Sequence, residues 1–197
     1  MPDARAWRGL AILICIVGAL SRPAGAQSRS SYDAVHDYVA TGAETFEQVG
    51  LPSNLIFSAT YRNVLESMIH GSATFRRQCL RIAAESRLSI RLEPSISSWT
   101  HGARAMTHIV RQPSGVMSAS IGISPLENQV ELIAHELEHI IEQLDDVDLA
   151  SQAALPDTGV HALEAGGTAF ETVRAVRVGL TVAQEVRGGR ASTGLMD

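Results

Sequence analysis

The spacing of apolar residues divides the chain into segments of different period. From Asn54 to His70, Phe57, Tyr61, Val64, Leu65, Met68 and Ile69 recur at three- and four-residue steps, and Gly71 follows at a helix-ending position. This predicts a helix. Ser72 is placed to cap a second helix running to about Ser86, with Phe75, Cys79, Ile82 and Ala83 facing inward. The period then drops to two: Leu88, Ile90 and Leu92 alternate with Ser89 and Arg91, which predicts a half-buried strand closed by Pro94. After a loop over 95–104, Ala105–Arg111 and Val116–Ile123 are two further strands. Gln112-Pro113-Ser114-Gly115 between them is a turn of hairpin length. Met117, Ala119, Ile121 and Ile123 share one face of the second. Residues 32–49 have weak helical character interrupted by Gly42; a loop over 145–159 precedes a last helix from Thr168 to Arg187. Helices, a small antiparallel or mixed sheet and then helices define an α+β domain.

Between hairpin and loop lies the strongest pattern in the chain. Ser124-Pro125-Leu126-Glu127 has the spacing of a capping box, with Pro at the first helical position. Leu126, Val130, Ile133, Ala134, Leu137, Ile140, Ile141 and Leu144 then hold a 3.6-residue period for about five turns.

This central amphipathic helix carries His135-Glu136-Leu137-Glu138-His139, an H-E-x-x-H motif. At about 100° per residue the two histidines are separated by only about 40° around the helix, opposite the apolar stripe, so both imidazoles can reach one ion. Neutral imidazoles hold Zn²⁺ without quenching its Lewis acidity. Glu136, turned about 100° from His135, can take a proton from metal-bound water without being a ligand, which makes it the candidate general base. A solvated acidic face, with Glu131, Glu138 and Glu142, is the alternative reading of the same residues.

A zinc site of this type needs a third protein ligand, and four residues compete. Asp145 stands where some metallopeptidases place a third ligand, but Glu142 occupies the position of the glycine that would turn the chain back. His161 lies in a polar loop. Glu164 precedes Gly166-Gly167 and would be offered by a loop. Glu171 sits one turn into the helix begun at Thr168, where Thr168-Ala169-Phe170-Glu171 is also a capping-box spacing. Glu171 aligns with Ala175, Val178 and Val182, away from Arg174, Arg177, Thr181, Gln184 and Glu185. A carboxylate heading an apolar stripe is buried and needs a partner, which favours Glu171, with Glu164 kept open.

Composition bears mainly on compartment and partners. Residues 1–26 show Arg5 and Arg8, an apolar run from Leu10 to Leu20, and Ala24-Gly25-Ala26: the order of a secretory signal peptide cleaved after Ala26. The run is about half the ~20 residues that span a bilayer, so no stable membrane anchor is expected after cleavage. The expected product is one exported domain, residues 27–197, periplasmic or secreted. Cleavage removes Arg5, Arg8, Arg22 and Asp3, taking 16 basic and 21 acidic residues to 13 and 20. That acidic balance argues against a nucleic-acid partner. It also removes Cys15, leaving Cys79 as the lone cysteine, read as a buried thiol. The aspartates at 145, 146 and 148 lack the glycine and terminal Glu of a calcium-binding loop and read as solvated.

Through Leu132-Ile-Ala-His-Glu-Leu-Glu-His139 and Phe170-Glu-Thr-Val-Arg-Ala175, the chain resembles the zincin metallopeptidases, in particular the gluzincin type. It also looks like exported bacterial proteins of unassigned role that pair a His-Glu-Leu-x-His helix with a downstream Phe-Glu-Thr segment. The resemblance implies His135, His139 and Glu171 as zinc ligands, Glu136 as base, and a peptide or protein as substrate. It implies that the strand before the motif helix, Val116–Ile123, is the sheet edge that pairs with an extended peptide. For the oxyanion-stabilising residue, His161, His108 and His101 are candidates. A non-catalytic zincin-fold module that binds zinc or a protein partner is the alternative function.

Overall fold

The computed structural model describes residues 11–18, 50–95, 103–125, 128–163 and 168–193. Its strands are β1 (Ala11–Gly18), β2 (Leu55–Phe57), β3 (Leu88–Pro94), β4 (Ala103–Arg111), β5 (Met117–Ile123), β6 (Val160–Ala162) and β7 (Phe170–Thr172). Its helices are α1 (Arg62–Gly71), α2 (Ala73–Ala83), α3 (Gln129–Leu144), α4 (Leu149–Ala153) and α5 (Val173–Thr193). A mixed sheet has the order β1-β4-β5-β3-β2, and β6 and β7 form a separate antiparallel ribbon. The fold is α+β, as the change of period predicts.

The sheet is built on alternation. Leu88, Ile90 and Leu92 of β3 and Met117, Ala119, Ile121 and Ile123 of β5 are buried, while the residues between them are exposed or half-buried. One face therefore carries the helices. The β4–β5 hairpin closes through Gln112, whose N–H donates to Val116 O at 2.8 Å and whose carbonyl accepts from Gly115 at 2.9 Å. Gly115 has φ +83°, a backbone region that favours glycine, and a side chain there would also strike the Arg87 guanidinium.

Three predicted elements differ. The segment read as the start of a long helix at Asn54 is strand β2, paired in parallel with β3 at Leu55↔Ile90, followed by a 3₁₀ turn at Ala59–Tyr61. The helix begins only at Arg62 because that non-local pairing claims the first apolar residues. Gly71 is the last residue of α1 rather than its cap; the extended residue is Ser72, which caps α2 by accepting from Phe75 N at 3.0 Å. Gly71 serves instead for close packing, since a Cβ there would lie 3.2 Å from Val186 Cα on α5. Ala83, expected inward, is exposed, whereas Phe75, Cys79 and Ile82 are buried as predicted. Burial pushes the Cys79 thiol up to about 12, which makes it inert at neutral pH.

The strand order corrects a further expectation. Val116–Ile123 is not an edge: β5 lies between β3 and β4, its backbone groups engaged on both sides. The apolar run read as the signal-peptide core is β1, parallel to β4 with Ile14 opposite Thr107, and it also lies beside β7. Among the described residues β1 is the strand paired on the outer side of β4.

Candidate metal centre

Helix α3 runs from Gln129, with Asn128 at its N-cap position; Leu126 and Glu127 of the expected capping box lie outside the described residues, and Ser124 extends the β4–β5 ladder, its N–H donating to Arg104 O at 2.8 Å. Every residue from Leu132 to Glu142 is buried. The apolar stripe faces the sheet, and the opposite face, far from being a solvated acidic surface, packs against α5 and β7. Two of its acidic residues have specific partners. Glu138 accepts from Arg174 Nε at 2.6 Å and from Gln78 Nε2 at 2.8 Å, which ties α3 to α5 and α2. Glu142 lies against His139 and Thr172.

Glu171 reaches the centre from a strand. The spacing from Thr168 predicts a helical Glu171, but Phe170–Thr172 pairs with Val160–Ala162, and α5 begins at Val173. Thr172 takes the capping role expected of Thr168: its hydroxyl accepts from Ala175 N at 3.0 Å. The burial inferred for Glu171 holds, at 5% exposure.

His135, His139 and Glu171 each offer one ligand atom, all within 4.8 Å of one another. The imidazole Nε2 atoms are 3.0 Å apart, and Glu171 Oε1 lies 3.2 Å from His135 Nε2 and 3.7 Å from His139 Nε2. An ion bound tetrahedrally at about 2.0–2.1 Å separates its ligand atoms by about 3.3 Å, close to this triangle. Two buried oxygens, Glu171 Oε2 and Glu136 Oε1, have no hydrogen-bond partner among the described residues. A buried carboxylate oxygen left in this way is costly, and a cation would satisfy it. The donor set and its charge fit a metal ion.

Glu136 is fully buried beside the triad, its Oε2 accepting from Thr107 Oγ1 at 2.5 Å. Burial pushes its pKa up and the charge of Glu171 adds to this, while His135, His139 and the Thr107 hydroxyl act in the opposite direction. For His139, burial opposes the charged ring, yet the hydrogen bond to Glu142 and the negative charge of Glu142, Glu136 and Glu171 raise its pKa overall.

The other candidates lie elsewhere. Asp145 bonds Arg174 Nη2 at 3.0 Å and Arg81 Nη2 at 3.4 Å. The acidic loop is not simply solvated: Asp146 bonds Arg111 at 3.2 Å, and Asp148 caps α4 through Ser151 N at 3.0 Å. Glu164 and His101 fall outside the described residues. His108 lines a cavity of about 400 Å³ on the helix-free face of the sheet, with Arg91 and Ser120, away from the triad. His161 is exposed and stands directly across the ribbon from Glu171, and such partners project to the same side.

Three functional contacts escape sequence reasoning. Thr107 is a polar residue in the inward register of Ala105 and Ile109, a signal that could have marked it. Glu142 falls three residues after His139, one helical turn on. Gly179 is where α5 crosses α3: a Cβ there would lie 2.8 Å from Glu131 O and 3.1 Å from His135 Cβ. Gly to Ala in a helix normally gains about 1 kcal/mol. Here Gly179→Ala is expected instead to cost about 1–3 kcal/mol by forcing the helices apart, and to weaken metal binding through His135. Thermal unfolding with metal titration checks this; a more stable variant with unchanged affinity would contradict the close approach.

Comparison of the chain with models of known protein families, with curated proteins and with solved structures finds no match.

Proposed function

We propose that the protein is an exported zinc-dependent hydrolase of the metallopeptidase type, with His135, His139 and Glu171 as zinc ligands and Glu136 as general base. The observation that carries this reading is the buried His135–His139–Glu171 triangle beside a second carboxylate, Glu136, that is not part of it. Two imidazoles and one carboxylate are a donor set characteristic of catalytic zinc, which keeps a further position for water or substrate. Zinc bound there would supply an acidified water and polarise the substrate carbonyl.

The chain's own residues supply the rest. Thr107 anchors Oε2 of Glu136 and leaves Oε1 to accept the proton of the attacking water. The raised pKa of Glu136 suits a group that must take up that proton and then deliver it to the leaving amine. Of the candidate donors to the substrate carbonyl, His161 is the one whose register opposite Glu171 favours that role. Once a leader ending at Ala26 is removed, the side of β4 that β1 occupies would, among the described residues, be open to pair with an extended peptide alongside Thr107, which Ile14 faces. This supports a peptide or protein substrate.

One observation favours the alternative of a non-catalytic metal-binding module: His135, Glu136 and His139 are at most 1% exposed. Strand β1 lies beside β4 and β7, close to the elements that bear Thr107 and Glu171, and export as proposed would take it away. Incubating the zinc-loaded protein with an unstructured protein substrate, and reading new termini by mass spectrometry, separates the two. Cleavage that a chelator abolishes supports the hydrolase, and intact substrate with zinc demonstrably bound favours the module.

A further inference from the structure

Helix α3 buries two carboxylates beyond Glu136, and they are satisfied differently. Glu138, 5% exposed, is neutralised by Arg174 and held by Gln78; its contacts fasten helices together. Glu142, 2% exposed, has a histidine and a hydroxyl as its partners, with no arginine in hydrogen-bond reach among the described residues. Its Oε2 lies 2.9 Å from His139 Nδ1, and its Oε1 accepts from Thr172 Oγ1 at 2.7 Å. Facing a carboxylate oxygen, the neutral His139 ring carries its proton on Nδ1 and presents the lone pair of Nε2. That Nε2 is the atom turned toward His135 and Glu171.

We propose that Glu142 is a positioning residue of the metal centre: it fixes the tautomer and ring orientation of His139, and through Thr172 couples that ring to the strand bearing Glu171. The proposal rests on the metal-site reading above. Thr172 gives the coupling its physical form. It follows Glu171 directly in the chain, its backbone N–H donates to Glu171 Oε1 at 2.7 Å, and its hydroxyl accepts from Ala175 N while donating to Glu142. One residue thus caps α5, holds the third ligand and orients the carboxylate behind the second. A carboxylate behind a ligating histidine raises the basicity of the ring and removes its freedom to rotate, and loss of such a group weakens metal binding about 10–100-fold.

The test compares Glu142→Ala, Glu142→Gln, Thr172→Val and, as control, Glu138→Gln, by zinc affinity and by the visible spectrum of the Co²⁺-substituted protein. Glu142→Ala is expected to weaken zinc binding about 10–100-fold and to shift the cobalt bands. Glu142→Gln, whose amide oxygen still accepts from Nδ1–H, recovers part of the affinity, and Thr172→Val shows a smaller loss than Glu142→Ala. Glu138→Gln lowers the melting temperature but leaves affinity and spectrum at wild type, because its carboxylate touches no ligand. A folded Glu142→Ala with wild-type affinity and spectrum overturns the proposal. Where that variant does not fold, Glu142→Gln and Thr172→Val that both keep wild-type zinc affinity and spectrum do the same. Absence of metal binding in the folded wild-type protein overturns the metal-site reading and this proposal with it; binding that is indifferent to Glu142 overturns this proposal alone.

Discussion

Replacing Glu136 by Gln is expected to lower the rate of peptide hydrolysis by at least about 10²–10⁴-fold while leaving zinc in place. The side chain is isosteric, so the fully buried pocket keeps its packing, and Thr107 Oγ1 can still donate to the amide oxygen in place of Oε2. What is lost is the atom that accepts a proton. Because Glu136 is not part of the His135–His139–Glu171 triangle, metal content should remain at the wild-type level. Turnover and zinc content measured on one preparation check both halves. Unchanged turnover would remove Glu136 from the mechanism, and loss of zinc would make it a ligand.

The second large effect is on stability, and its pH dependence has a definite sign. In the metal-free protein the folded-state pKa values of His139 and Glu136 are both raised. Both groups therefore hold protons more tightly folded than unfolded. The stability they contribute is complete below their unfolded values, about 6.5 for His and about 4.3 for Glu, and is lost as pH rises through the folded ones. Metal binding requires His139 neutral at Nε2, so it strengthens over the same rise. Zinc at about 1,000 times its Kd adds about 4 kcal/mol, on the order of 10 °C in melting temperature for a domain of this size. The chelated protein is expected to melt lower at about pH 8 than at about pH 6, and the increment from zinc to grow across that range. Melting curves with zinc and with chelator at the two pH values check this; an increment that shrinks with rising pH would contradict it.

How far the sequence discloses this arrangement depends on whether a feature is local. The 3.6-residue stripe of α3 and the i, i+4 spacing of its histidines are local, and both appear in the structure as read. Their pairing with Glu171 was legible through a different property, the expected burial of a carboxylate aligned with Ala175 and Val182, although the residue proves to be on a strand. What decides its conformation is the ribbon with Val160–Ala162, a pairing no local signal announces, and the competition between Thr168 and Thr172 for the cap. The same holds at Ser124 and at Leu55: each carries a helical signal, and each is claimed by a strand partner distant in sequence. Strand order is equally non-local: the resemblance implies an edge at Val116–Ile123, and β5 lies in the interior. Glu142 and Thr107 were legible in principle, one by its turn spacing from His139 and the other as a polar residue in an apolar register. Their roles emerge only when α3 is placed against β4 and β7.

The central claim is that His135, His139 and Glu171 form one metal site, and its most direct test is metal content. We expect about one zinc per chain in the purified protein, lost in both His135→Ala and Glu171→Gln while each variant remains folded. Loss in the histidine variant alone would replace Glu171 with another third ligand. Folded wild-type protein that takes up no zinc would contradict the site altogether.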